Sequence, residues 1–362
     1  MAKQFSYEGV DMNQRIIKVD TPETTAIIFG SYDVNTRIIE NTFHVSLRNR
    51  SGEDGSDAIL VSGEDMEAVN AATKAVEYLR DMARYNATLS EQSVRYVIDM
   101  IADGKGGELA DIGSDCIMVT TRGKPIKAKT VGQSKYVEAI RKNTIVLGIG
   151  PAGTGKTFLA VAMAVKALRD KQVAKIILTR PAIEAGERLG FLPGDLLSKI
   201  DPYLRPLYDA LGEMLGTDTQ QRLMEKGVIE VAPLAYMRGR TLDDAFIILD
   251  EAQNATPEQV KMFLTRLGFG SKVVVTGDLT QTDLPTGQKS GLASAVKILS
   301  GIEDIAIHYL TEKDVVRHHL VQKIILAYDK YDREMAAKAA ERNQNQRGGQ
   351  NHSYRPKNTH HS

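Results

Sequence analysis

Thr144-Ile-Val-Leu-Gly-Ile149 runs directly into Gly150-Pro-Ala-Gly-Thr-Gly155-Lys156-Thr157, and an alanine-rich stretch to Leu168 follows. An apolar strand, a glycine turn and a helix in that order make a P-loop. The spacing has a physical cause: glycines let successive backbone N–H groups turn inward on phosphate oxygens, and the helix N-terminus adds its partial positive charge. Gly150, Pro151, Ala152, Gly153, Thr154, Gly155, Lys156 and Thr157 are therefore the candidate phosphate-binding residues. Lys156 is placed to reach the β- and γ-phosphates of ATP, and the Thr157 hydroxyl to ligate Mg²⁺. The same stretch also reads Gly148-x-Gly150-x-x-Gly153, a dinucleotide fingerprint, and the next strand ends in Arg180, where a 2′-phosphate partner would sit. Three glycines in a turn are a far weaker signal than the full eight-residue pattern.

The downstream sequence separates these readings. Ala245-Phe-Ile-Ile-Leu-Asp250-Glu251-Ala-Gln253 is a buried strand ending in two carboxylates. Carboxylates in that position are costly unless a cation or water meets them. Asp250 suits the Mg²⁺ shell and Glu251 the attacking water, and a dehydrogenase has no use for the pair. Lys272-Val-Val-Val-Thr276-Gly-Asp278-Leu-Thr-Gln281 adds a strand with polar residues at its carboxyl end, Gln281 being placed to reach a γ-phosphate. Further apolar strands are expected at Lys175–Thr179, Val228–Ala232 and Ile305–Tyr309, with a helix opening at Thr256-Pro257. Residues 184–194 are too rich in glycine and proline for a core helix and read as an insertion, followed by a helix from Asp201 to Leu215. The fold class is α/β with a parallel sheet, its βαβ crossovers right-handed. Upstream, Gly132-Gln-Ser-Lys-Tyr136 matches the placement of an adenine-contacting glutamine in helicase-type ATPases, which makes Gln133 a candidate reader of the base edge.

A chain of 362 residues suggests two or three domains. Lys plus Arg equal Asp plus Glu at 46 each, so any basic surface is local. The single cysteine, Cys116, excludes an intramolecular disulfide, the start has no apolar run for a signal peptide, and no stretch approaches a membrane span. A cytoplasmic location follows as the expectation.

Residues 1–88 read as an arm or a strand added to a neighbour, up to about Val19, and then a small α+β unit: helix Thr24–Phe29, a break at Gly30, helix Asp33–Asn41, strand Thr42–Arg50, strand Ala58–Ser62 and helix Asp65–Arg84. That order resembles a KH-type RNA-binding module, whose Gly-x-x-Gly loop clamps the nucleic-acid backbone. Here the loop reads Gly30-Ser-Tyr-Asp33, and an oligomerisation or partner-docking role competes with RNA contact. Residues 89–130 form a helical and hairpin linker, with a helix from Ser90 to Asp103 and a turn at Arg122-Gly-Lys124. From Arg122 to Lys142 seven basic residues face one acidic residue, Glu138, so Lys127 and Lys129 are candidates for a phosphate-backbone track, against a plain solvated linker. Arg238 and Arg240, flanking Gly239 after a core strand, are candidates for phosphate or RNA. Residues 131–330 are the ATPase domain, in which Asp314-Val-Val-Arg317 opens a last helix with Val316, Leu320 and Ile324 as its core stripe. Residues 331–362 are a polar, disordered tail.

The combination of Gly150-Pro-Ala-Gly-Thr-Gly-Lys-Thr157, Thr179-Arg-Pro181, Glu187-Arg-Leu-Gly-Phe-Leu-Pro-Gly194, Tyr236-Met-Arg-Gly-Arg240, Asp250-Glu-Ala-Gln253 and Gly277-Asp-x-x-Gln281 resembles the bacterial PhoH-like proteins. The resemblance implies a RecA-like core similar to that of superfamily-one helicases, ATPase activity, association with RNA and a homo-oligomeric ring such as a hexamer. It also implies a role in ribosomal-RNA maturation beside an rRNA-processing endoribonuclease. Only one P-loop and one set of acidic motifs are present, so self-association would have to supply what a second RecA domain supplies elsewhere. On that reading Arg317 is a candidate catalytic arginine acting across a subunit interface, with Arg180 as its competitor and an ion pair with Asp314 as the plainer alternative. A nucleotide-gated adaptor that never unwinds RNA is the rival function.

Overall fold

The structure, a computed structural model, describes residues 13–51, 57–84, 88–111, 116–181, 196–285, 287–316 and a few helical positions beyond them. The chain divides into two units, Met1–Val316 and Arg317–Ser362. In the second, the described residues Leu320, Val321, Ile324, Ala327, Tyr328, Tyr331 and Met335 are helical and exposed. Of the expected core stripe, Val316 in the first unit is half-buried, and Leu320 and Ile324 in the second are 54% and 49% exposed. Arg317, most of the polar tail and the 184–194 insertion lie outside the described residues.

In the first unit, the strand β1 (Asn13–Val19) is followed by helices α1 (Pro22–Phe29) and α2 (Val34–Phe43), strands β2 (Ser46–Ser51) and β3 (Asp57–Gly63), and helices α3 (Met66–Ala83) and α4 (Glu91–Ala102). The three strands form an antiparallel sheet in the order β1-β3-β2. β1 therefore joins its own module rather than a neighbour's. Ile17 and Val19 on one side of β1 pack with Ile59, Val61 and Leu47 beneath the helices, while the alternate residues face out. β2 starts four residues later than expected because α2 runs on to Phe43 and His44 then turns the chain in the left-handed region. Helix starts follow the sequence signals: the side chains of Asp65 and Ser90 accept the orphan amides of Glu67 and Ser93.

Two short strands, β4 (Met118–Val119) and β5 (Pro125–Ile126), make the expected hairpin, Gly123 taking its positive φ. The helix α5 (Val131–Lys142) then leads into the core: β6 (Ile145–Ile149), α6 (Lys156–Arg169), β7 (Lys175–Arg180), α7 (Leu196–Leu215), α8 (Thr217–Glu225), β8 (Ile229–Pro233), β9 (Ala245–Leu249), α9 (Pro257–Leu264), β10 (Lys272–Gly277), α10 (Gly291–Leu299) and β11 (Ile305–Tyr309). All strand pairs are parallel, in the order β11-β6-β10-β9-β7-β8. Parallel strands covered on both faces read as unbroken apolar runs, and the side chains divide between the faces as the pleat requires. Val146, Ile176, Phe246, Ile248 and Val274 pack with α5, α6 and α7. Leu147, Ile177, Ile247, Val273 and Val275 pack with α9 and α10. The fold is an α/β P-loop NTPase core, and its strand order brings the carboxyl ends of β6, β10, β9 and β7 side by side. No helix among the described residues is long and apolar enough to cross a membrane.

Candidate nucleotide site

The loop between β6 and α6 is built as its glycines demand. Gly153 and Gly155 have φ of 87° and 79°, and a Cβ on Gly150 would lie 2.4 Å from the carbonyl oxygen of Leu310. Lys156 Nζ sits across the loop mouth on the carbonyls of Gly150 (2.6 Å) and Pro151 (2.9 Å). Beside it, the Thr157 hydroxyl donates to Asp250 Oδ1 at 2.6 Å, and the Thr276 hydroxyl donates to the same oxygen at 2.7 Å. Asp250 is only 4% exposed. A buried carboxylate, a P-loop threonine and a second hydroxyl converging at one point fit a hard divalent cation that takes oxygen ligands. Ala152, Gly153, Gly155, Lys156, Thr157, Phe158, Asp250, Glu251, Gly277, Asp278 and Gln281 line a cavity of about 260 Å³. Gln281 is exposed at its rim.

Glu251 has a left-handed backbone, φ 53°, which costs an ordinary residue roughly 1–3 kcal/mol and persists only where surroundings hold it. Here both carboxylate oxygens are held. Arg180 Nη2 donates to Oε1 at 2.9 Å and Gln253 Nε2 to Oε2 at 2.5 Å. Arg180 also approaches Asp250 Oδ2 at 3.5 Å and donates from Nη1 to the Tyr203 carbonyl of α7 at 2.6 Å. Gln253 Oε1 accepts the Asp278 amide at 3.0 Å, tying the end of β9 to the end of β10. Arg180 is thus brought to the two acidic side chains rather than left at the strand end. Two buried oxygens at the same strand ends, Thr179 Oγ1 and Asp278 Oδ2, have no partner among the described residues and stand ready for a ligand or water.

The sequence from residue 125 to residue 329 matches a protein-family model described as PhoH-like protein. The chain belongs to the PhoH-like family. It is 52% identical over 319 residues to the PhoH-like protein of Bacillus subtilis (strain 168), covering 88% of this chain and 97% of that one. It is 54% identical over 315 residues to the PhoH-like protein of Mycobacterium tuberculosis (strain ATCC 25618 / H37Rv), covering 87% and 88%. The Protein PhoH of Escherichia coli (strain K12) is 40% identical over 291 residues, covering 78% and 80%. A solved Sulfolobus solfataricus SWI2/SNF2 ATPase core in complex with dsDNA reaches a TM-score of 0.31 at 14% identity over 49% of this chain and 43% of that one, a likeness that adds nothing to the topology.

The site of this PhoH-like chain does not use every residue as its spacing suggests. Gln133 is 4% exposed, its amide donating to the Thr154 carbonyl at 3.0 Å and accepting the Lys129 amide at 2.8 Å. Both ends of the amide are committed to backbone, so Gln133 braces the P-loop, and reading a base would mean breaking one of these bonds. Arg240, a candidate for phosphate or RNA, forms a two-point pair with Glu230, at 2.6 and 2.7 Å, which raises its pKa. Arg238 and Lys129 remain exposed, and Lys127 is half-buried. Thr276 is a site residue that the sequence reading did not single out; its place immediately before Gly277-Asp278 was the available signal.

Behind the loop, the Tyr136 ring fills the space a side chain at Gly148 would need, its Cε2 2.6 Å from an ideal Cβ there, and stacks on His308 with centroids 5.7 Å apart. His308 Nε2 lies 2.9 Å from the Gly132 carbonyl. Burial lowers the His308 pKa below its ordinary value, against the opposing effect of that carbonyl. A depressed value means that the unfolded chain binds the proton more readily, so this contribution to stability is full above about pH 6.5 and is lost as pH falls through the folded value. The melting temperature is expected to fall as pH drops below about 6.5, and to fall less in His308→Gln. Equal pH slopes for the two proteins would refute this.

Proposed function

We propose that the protein hydrolyses ATP with Mg²⁺ and couples the reaction to RNA, acting in the cytoplasm as a homo-oligomeric ring in RNA or ribosomal-RNA remodelling. The observation that carries the hydrolase reading is the single cavity in which Lys156, Thr157, Asp250, Glu251 and Gln281 meet. Lys156 would neutralise phosphate charge, Thr157 and Asp250 would hold the cation, Glu251 would polarise water and Gln281 would report on the γ-phosphate. The cation supplies charge stabilisation of the transferring phosphoryl group. The RNA reading is supported by the β–α–α–β–β–α order of the N-terminal module, which is compatible with a KH-type comparison.

The adaptor reading draws on a different observation: both oxygens of Glu251 are already occupied by Arg180 and Gln253, an arrangement suited to binding nucleotide without rapid turnover. Steady-state ATP turnover with and without single-stranded oligo(U) separates the two. Stimulation by oligo(U) is expected. Turnover indifferent to RNA, together with affinity for a ribonuclease partner that follows nucleotide state, would favour the adaptor.

A further inference from the structure

The N-terminal sheet has a second face that the ATPase site does not use. Residues alternate across a pleated sheet, and the register fixes which ones share that face. Ile16, Leu60 and Arg48 lie in one row across β1, β3 and β2, and Lys18, Ala58 and Arg50 in the next. All three helices α1, α2 and α3 pack with the opposite side, through Ile17, Val19, Ile59, Val61 and Leu47. Ile16 is 56% exposed, Lys18, Arg48 and Arg50 are exposed, and no described element covers them.

Among the described residues the charge on this face is one-signed. Lys18, Arg48 and Arg50 make no side-chain hydrogen bond or ion pair among the described residues, and neither row contains a carboxylate. Across 13–84 acidic residues outnumber basic ones, so the cations are segregated rather than abundant. Neighbouring strands are about 4.8 Å apart and alternate residues about 6.7 Å apart, which places three like charges around small Ala58 and apolar Leu60 on a shallow floor. Charges of either sign would guard the edge strands β1 and β2 from pairing; only cations are used. The cluster repels itself unless an anion spans it. A second copy docking through the same face would set each cation against its like, which disfavours a twofold contact.

From these observations we infer that this sheet face is a docking surface for the phosphate backbone of single-stranded RNA. It shares no residue with the ATPase cavity or with the Gly30–Asp33 turn, and its choice of ligand rests on the RNA reading above. No aromatic residue stands in the two rows, so contacts go to phosphates and the binding is indifferent to base sequence.

The test is fluorescence anisotropy of labelled oligo(U) with the full chain, between about 50 and 200 mM salt. Lys18→Ala combined with Arg48→Ala is expected to weaken binding roughly tenfold and to flatten the slope of log affinity against log salt by about 1.4, two single-strand contacts at about 0.7 each. Lys127→Ala with Lys129→Ala serves as the comparison, and an unchanged melting temperature shows that each variant folds. If the sheet variant binds oligo(U) with wild-type affinity and slope, the inference is wrong while the RNA reading stands. If polyglutamate displaces oligo(U) from the wild type as readily as RNA does, the face takes an acidic protein and the inference is again wrong. Failure of the wild type to bind oligo(U) at all overturns the RNA reading and this site with it.

Discussion

Glu251→Gln should hold ATP about as tightly as the unaltered chain and turn it over roughly 10²–10⁴-fold more slowly, the range contributed by a positioned general base. The geometry makes the substitution informative. Glu251 stands at the end of β9 beside Asp250, yet lies in the wall of the cavity rather than among the loop residues that would grip phosphate. Loss of its charge therefore removes the group that polarises water and leaves Lys156, Thr157 and Asp250 in place. A glutamine keeps the size and can still accept from Arg180 Nη2, but its NH₂ would meet the Gln253 amide, which donates to Oε2 in the unaltered chain. The resulting mismatch of two donors costs roughly 1–3 kcal/mol at a buried position and less here, where Glu251 is partly exposed. Single-turnover hydrolysis, nucleotide affinity and melting temperature together separate the chemical effect from the local one. Turnover near the wild-type rate would remove Glu251 from the catalytic role.

The sequence was most legible where one physical demand fixes several residues at once. A parallel strand buried on both faces must be apolar throughout, and a loop that wraps phosphate must be glycine-rich, so β6 with its P-loop, β9 with its carboxylates and β10 with its polar end could be placed from the chain alone. Strand β1 was obscure for the opposite reason: it is an edge strand with only Ile17 and Val19 buried, and its remaining residues look like a polar arm. The late start of β2 depends on a single left-handed residue, His44, which no periodicity marks.

At the site, residue type was readable and partnership was not. Arg180 reaches Asp250 and Glu251 because β7 pairs with β9, strands separated in sequence by α7, α8 and β8. Arg240 is neutralised by Glu230 across the turn that follows β8. Gln133 stands where a base reader is expected, but its amide is spent on Lys129 and Thr154. In each case spacing along the chain brought a polar group to the right region, and the fold decided what it met there.

The strongest test of assembly concerns Arg317, which lies outside the described residues and is argued from sequence. Phosphoryl transfer leaves negative charge that a lysine and a cation do not fully meet, and an arginine supplied across an interface is worth roughly 10³–10⁵ in rate. The chain carries one P-loop and one set of acidic motifs, so on the ring proposed above an arginine acting from outside the subunit would come from another copy. The nearest rival in the described fold, Arg180, has its guanidinium engaged by Glu251 and the Tyr203 carbonyl. Arg317→Ala is expected to bind ATP and assemble but to hydrolyse at least roughly 10³-fold more slowly, while Lys156→Ala loses productive binding altogether. Mixed in equal amounts with free exchange of subunits, the two variants place an intact P-loop against an intact arginine at roughly one interface in four of a head-to-tail ring. Activity should therefore return to a sizeable fraction of wild type although neither variant works alone. Wild-type turnover by Arg317→Ala would end the proposal, and loss of activity with no recovery on mixing would place the arginine within its own subunit.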